Sequence, residues 1–318
     1  MMSDKNSPSV LETNILYLAI AFLLITVGAK SQAKEVYTGL LITEYLIILL
    51  PVLFYLNING YSVKNNLRLN KVSLHQAMLV LLIVIFSYPV AVFFNLLGII
   101  LLNNFVQIRP NPVPIPSNLK EYVLGFLVIA LTPGICEEIM FRGMIMRSYE
   151  SLGKKKSIIY SAALFGLFHF NLQNLIGPIY LGILFGIIAY KTNSLISTMI
   201  GHTMNNTIAL TIGYLFTNIG KELGENTDIL NMPEGREMMI ALVSLGLCAL
   251  LFGFISYKLI KILPANNEGE IIELNTFIQE EPWIKDMNTK KRMSLIESLP
   301  ILVVIFFFAF WNFKYLFI

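Results

Sequence analysis

Charge is scarce in this sequence. Asp, Glu, Lys and Arg make up 14% of its 318 residues, against roughly 25% in a soluble domain. A soluble fold with so little charge would expose large apolar patches, so the composition excludes an ordinary soluble domain, a disordered chain and a collagen-like one. Cysteine is almost absent. Cys136 and Cys248 both lie in apolar runs, which argues against a disulfide scaffold or a CxxC metal site. Aspartate occurs only at 4, 228 and 286, so no paired intramembrane Asp supports an aspartyl mechanism. There is no GxSxG for a serine route and no HExxH for a zincin helix. The net charge is only +3 and the basic residues sit in short loop clusters; no basic face suggests nucleic acid. The start, Met1 to Glu12, lacks the charged flank and small-residue cleavage site of a signal peptide, so the first apolar run is expected to be a retained anchor.

What fills the sequence is apolar: 56% of residues are hydrophobic and the mean hydropathy is +0.68. A spanning helix needs about 20 mostly apolar residues. Nine stretches qualify or nearly do: 13–29, 36–57, 74–102, 120–147, 157–171, 174–190, 194–216, 237–261 and 298–317. The fifth is short. No strand alternation competes, and lipid admits only helices or closed barrels. The expectation is one all-α transmembrane domain over 1–318, a polytopic bundle of 8–9 spans in the bilayer of a cell membrane. Between the second and third stretches the chain is polar and basic, with Lys64, Arg68 and Lys71. Pro at 110, 112, 114 and 116 predicts an extended, polyproline-like segment, a stiff rim or a plain spacer before the fourth helix. The connections 217–236 and 263–297 are acidic and mixed in charge, respectively. With nine spans, one side carries fifteen Lys or Arg and the other seven, which places the N-terminus in the cytoplasm.

Charges also occur where lipid should be. The fourth stretch contains Glu137-Glu138 and Arg142. An ionised group there costs about 2.5–3.5 kcal/mol on the insertion scale, so function is the default reading. Glu138 and Arg142 are i and i+4, acid first, the favourable order for a pair. Glu137 points about 100° away and has no partner on its own helix. A carboxylate in an apolar cavity can serve as a general base near neutral pH. The competing structural reading pairs both Glu with basic groups on other helices.

Only three His are present, and His169 and His202 fall inside apolar stretches. A lone buried His is usually a satisfied structural residue; two beside an unpaired Glu shift that balance. His202 and Asn206 share a helical face and can both donate toward one point, as an oxyanion requires. Asn205 is offset and expected to pack, Cys136 likewise, and His75 reads as interfacial. Glu137, His169, His202 and Asn206 supply a base, a second base or orienter, and two donors. That set can activate water and stabilise a tetrahedral oxyanion, the chemistry of amide hydrolysis. The alternative is a divalent metal such as zinc held by Glu137, His169 and His202; the residues alone leave the two open. Gly182 and Gly186 form a GxxxG, a helix-contact signal.

In order and spacing, Glu137-Glu138 with Arg142, Phe165 with His169, and His202 with Asn206 resemble the EExxxR, FxxxH and HxxxN motifs of the CPBP (Abi) family of intramembrane proteases. That family includes the type II CAAX prenyl-protein endopeptidases and proteins linked to bacteriocin processing or self-immunity. The resemblance covers roughly 119–216, with Leu67-Arg68-Leu69 similar to an upstream family element. It leaves 298–317 as an extra C-terminal helix. It implies a membrane endopeptidase acting on a peptide, membrane-protein segment or prenylated protein. Glu137 and His169 would activate water, His202 and Asn206 would hold the oxyanion, and Glu138, Arg142 and Phe165 would shape the site. A non-enzymatic immunity protein and an ion-coupled transporter are the competing functions. Retention of a protective effect after Glu137→Ala would mark the first, and broken helices in related halves the second.

Overall fold

The computed structural model describes residues 7–103, 105–106, 108, 113–222, 235–265 and 292–317. Residues 109–112 of the Pro-rich stretch, the acidic 223–234 and the segment 266–291 lie outside this set. The described residues form nine principal helices and no strand. They are α1 Val10–Lys34 and α2 Val36–Ile58, α3 Leu74–Asn103, α4 Leu119–Leu152, α5 Lys154–Phe168, α6 Ile176–Thr192, α7 Leu195–Glu222, α8 Gly235–Ile262 and α9 Leu295–Phe317.

Seven of these are long and apolar enough to cross a membrane, which makes the chain a multi-pass membrane protein. The count falls below the nine sequence segments for physical reasons. Helix α5 has 15 residues, about 22 Å at 1.5 Å per residue, short of a hydrocarbon core of about 30 Å. Helix α7 is long but carries His202, Thr203, Asn205, Asn206, Thr207 and Thr211, which dilute its apolar character. The two shortfalls are the helices that bear the candidate histidines.

Two apolar clusters hold the bundle. One joins Tyr17 of α1, Ile48 of α2, Phe141 of α4, Phe165 of α5 and Val304 of α9. The other joins Val80 and Ile83 of α3 to Phe185 and Ile188 of α6. Helix α8 lies along α3, α7 packs on α3 and α4, and α9 packs on α1. Leu247, Leu250 and Phe254 of α8 and Phe306 and Phe310 of α9 stay exposed, an outer surface that lipid tails can solvate.

Gly182 and Gly186 press α6 onto α5. A methyl at Gly182 would lie 2.7 Å from Ala162 Cα and one at Gly186 2.9 Å from Ile158 Cγ2, so larger residues would push apart the helix that ends at His169. Arg68 ties helix ends together. Its side chain pairs with Glu150 at the end of α4 and lies 4.9 Å from the Tyr190 ring centre. Its carbonyl accepts from the Leu195 N–H, 3.0 Å, at the start of α7.

Candidate active site

Helix α4 is not uniform along its length. Its backbone widens into π-helix at Phe126–Leu131 and at Ile139–Ile145, with a tighter segment, Thr132–Glu138, between them. Such insertions re-aim side chains and recur at functional sites. Pro133 has no N–H to give the Ile129 carbonyl one turn earlier. The Asn206 amide of α7 donates to that carbonyl at 3.3 Å. Next to it, a methyl at Gly134 would lie 2.3 Å from Thr203 Oγ1 and 2.9 Å from the Thr203 backbone nitrogen. The bare glycine lets α7 approach the α4 backbone and delivers His202 to the carboxylates.

Glu138 and Arg142 form the ion pair their spacing predicts, 2.6 Å apart and almost wholly buried. The Arg142 guanidinium carbon lies 4.4 Å from the Phe165 ring centre and 5.3 Å from that of Phe185, so both ring faces meet the cation. The Glu138 carboxylate also accepts from His202 Nδ1 at 2.9 Å. The other ring nitrogen, Nε2, lies 3.7 Å from Glu137 Oε2. His202 is therefore bracketed by two carboxylates, with Phe185 stacked on it at 5.5 Å and Phe165 meeting it edge-on at 5.7 Å.

His169 caps α5. Its Nδ1 lies 2.9 Å from the Phe165 carbonyl; read as donation, this leaves Nε2 with its lone pair outward. Phe165, the first residue of the FxxxH motif, thus sits between both histidines and Arg142. Beyond His169 the chain turns sharply through Phe170, whose φ is +46°, a left-handed conformation that costs a large residue about 1–3 kcal/mol. Asn312 of α9 over-determines that turn. Its amide donates to the Phe170 carbonyl at 3.3 Å and its oxygen accepts from the Leu172 N–H at 2.7 Å. The extra C-terminal helix, outside the motif segment, thus holds the loop that carries His169.

Glu137 and His169 line one cavity of about 490 Å³. His202, expected on the same wall, is not among its lining residues: its ring is taken up by Glu138 and the Phe185 face, behind Glu137. Helices four and five supply one side; α1, α2 and α9 supply the rest through Leu24, Leu40 and Trp311. Val113, in the described half of the Pro-rich stretch, borders the cavity, as a rim would. Asn206 keeps one amide N–H on Ile129. Asn205 donates to Asn206 at 3.1 Å, while its own buried oxygen has no partner. Among the described residues no group of three or more His, Cys, Asp or Glu is placed to hold a metal. His202 Nδ1 is engaged by Glu138, and its Nε2 faces Glu137 Oε2 at 3.7 Å. Cys136 is buried in the core and His75 is exposed.

Sequence reasoning missed Glu44. It lies on α2, is 3% exposed, and lines the same cavity. The rule that flagged Glu137, a carboxylate inside an apolar run, applies equally to Thr43-Glu44-Tyr45.

No curated protein and no solved structure matches the chain. The segment from the start of α4 to the middle of α7, residues 119–208, is similar to the family model described as type II CAAX prenyl endopeptidase Rce1-like.

Proposed function

We propose that this protein is an intramembrane endopeptidase that hydrolyses a peptide bond in a membrane-associated peptide or a prenylated, CAAX-type protein. The observation that carries the reading is that Glu137 and His169, from different helices, line one cavity inside a buried, apolar bundle. A water held between them loses a proton to Glu137 as its oxygen attacks the scissile carbonyl carbon; His169 orients it through Nε2. The carbonyl π electrons move onto oxygen. That oxyanion is held by the Asn206 amide, which carries two N–H and spends one on Ile129, while His202 stands behind Glu137 with its Nε2 3.7 Å from Oε2. The C–N bond then breaks, and the departing nitrogen takes the proton from Glu137. Glu138 and Arg142 fix His202. The Lys and Arg count supports an N-terminus in the cytoplasm, and the reaction as written uses no cofactor.

The test uses purified protein in bilayer discs with a farnesylated CAAX peptide and an unmodified apolar peptide library, product bonds being mapped by mass spectrometry. Glu137→Gln keeps volume and removes the base, so turnover should vanish while peptide still binds. His169→Ala should be comparably severe. A Glu137→Gln protein that cleaves at the normal rate would sink the assignment. Chelation followed by added zinc separates the metal alternative, since the Glu–His route is indifferent to both.

A further inference from the structure

The cavity contains one more carboxyl than the hydrolytic chemistry requires. Glu44 is 3% exposed, and its buried Oε2 has no hydrogen-bond partner. It interacts electrostatically with Glu137 across the same space. The polar neighbours do not answer it: Gln32 donates to Thr43 at 2.9 Å, and the Thr43 hydroxyl donates to the Gly39 carbonyl at 2.8 Å. Among the described residues no Lys or Arg lines the cavity. The nearest buried cation, Arg142, is spent on Glu138, and His202 lies behind Glu137. Among the described residues the titratable groups facing the space are Glu44, Glu137 and His169. The rest of the wall is largely apolar, with Leu24, Val36, Phe168 and Trp311 among its residues. A buried carboxyl without a partner is costly. Its natural complement is an arriving cation able to donate charge-assisted hydrogen bonds.

We propose that this cavity is a subsite for a single cationic group, an amine or guanidinium flanked by apolar residues in the bound segment, and that the Glu44 carboxyl receives it. The volume, about 490 Å³, lies within the range of about 300–1,000 Å³ typical of ligand pockets and takes a Lys or Arg side chain with its neighbours. The proposal rests on the hydrolytic reading only in making the Glu137 and His169 end of the cavity the place where the bond is cut. On that reading, substrates carry a basic residue close to the scissile bond. Glu44 is then a specificity residue, contributing to substrate binding.

The experiment compares two fluorescent apolar peptide amides, identical except for Lys or the isosteric, neutral norleucine at one central position. Binding to the full-length protein in bilayer discs is read by anisotropy. A hydrogen bond to a charged group is worth about 1.5–3 kcal/mol, and each 1.4 kcal/mol is about tenfold. The Lys peptide should therefore bind at least about tenfold tighter than its twin. Glu44→Gln should erase that preference, and Glu44→Asp, a carboxylate that guards against a folding artefact, should retain part of it. Glu137→Gln should keep it. Equal affinities in the wild type, no binding of either peptide, or a preference that survives Glu44→Gln would each overturn the proposal. Cleavage is scored separately. If the Lys preference holds while Glu137→Gln still cleaves, the hydrolytic assignment fails and the subsite stands; if Glu137→Gln is inactive and the preference is absent, the reverse is true.

Discussion

Replacing Arg142 with Met should unfold the bundle more readily than any loss of a neutral contact could. Arg142 is 1% exposed and Glu138 is fully buried, with 2.6 Å between them. Without the guanidinium, the Glu138 carboxylate keeps only neutral hydrogen-bonding side chains, His202 at 2.9 Å and Thr198. Breaking a buried pair from one side costs about 3–5 kcal/mol, and the lost faces of Phe165 and Phe185 belong to that figure. At 1.4 kcal/mol per decade, the folded-to-unfolded ratio should drop by about 10²–10³-fold or more. Neutral interhelical hydrogen bonds in bilayers average only about 0.6 kcal/mol, so the two magnitudes are separable. The assay is reversible unfolding in mixed micelles, titrated with a denaturing detergent and followed by circular dichroism. Glu138→Leu combined with Arg142→Met should regain most of the stability, because replacing both members of a buried pair by apolar residues is often near neutral. The double variant should still be inactive, since His202 has lost the acceptor that orients it. An Arg142→Met protein within about 0.6 kcal/mol of the wild type, or a double variant as unstable as the single, would refute the reasoning.

Gly134→Ala should destabilise the protein by about 1–3 kcal/mol, the usual cost of overpacking, because its methyl would lie 2.3 Å from Thr203 Oγ1. It should also slow turnover by moving His202 away from Glu137; unchanged melting and unchanged activity would contradict the close approach of α4 and α7. Asn206→Ala should lower activity about 10²–10³-fold if it supplies one oxyanion donor, and should lower stability by removing its hydrogen bond to the Ile129 carbonyl. Adding Pro133→Ala restores a backbone N–H near that carbonyl. Stability should then recover while activity stays low, and recovery of both would show that Asn206 acts through the helix alone.

The parts of this architecture that were legible in the sequence share one property: they depend on spacing along a single element. Glu138 and Arg142 are one helical turn apart, and their pairing follows from that. The nine apolar segments each became a helix because lipid leaves the backbone little alternative. Gly182 and Gly186 marked a helix contact for the same local reason. The failures are relations between elements. His202 sits behind Glu137 because Phe185 of α6 takes one ring face, and nothing in the α7 sequence announces that. The π-helical widening of α4 on both sides of Thr132–Glu138 shifts side chains off the 3.6-residue repeat. Glu44 was findable by the rule applied to Glu137, but its place in the cavity depends on how α2 packs against α4. Asn312 looked like an ordinary polar residue in an apolar helix, and its bonds to the Phe170 turn arise only from the docking of α9.

That last contact has a consequence in time. Helix α9 follows the other eight helices in the chain, so during synthesis it enters the membrane after them. Until it docks, the left-handed turn at Phe170 lacks the Asn312 amide and oxygen that hold it, and relaxing the turn regains about 1–3 kcal/mol. Until then the turn that follows His169 is without the two Asn312 hydrogen bonds that hold it. On the hydrolytic reading, α9, made after the helices that carry the candidate site, is the one that arms it, and a chain interrupted before α9 would be inserted, helical and inert.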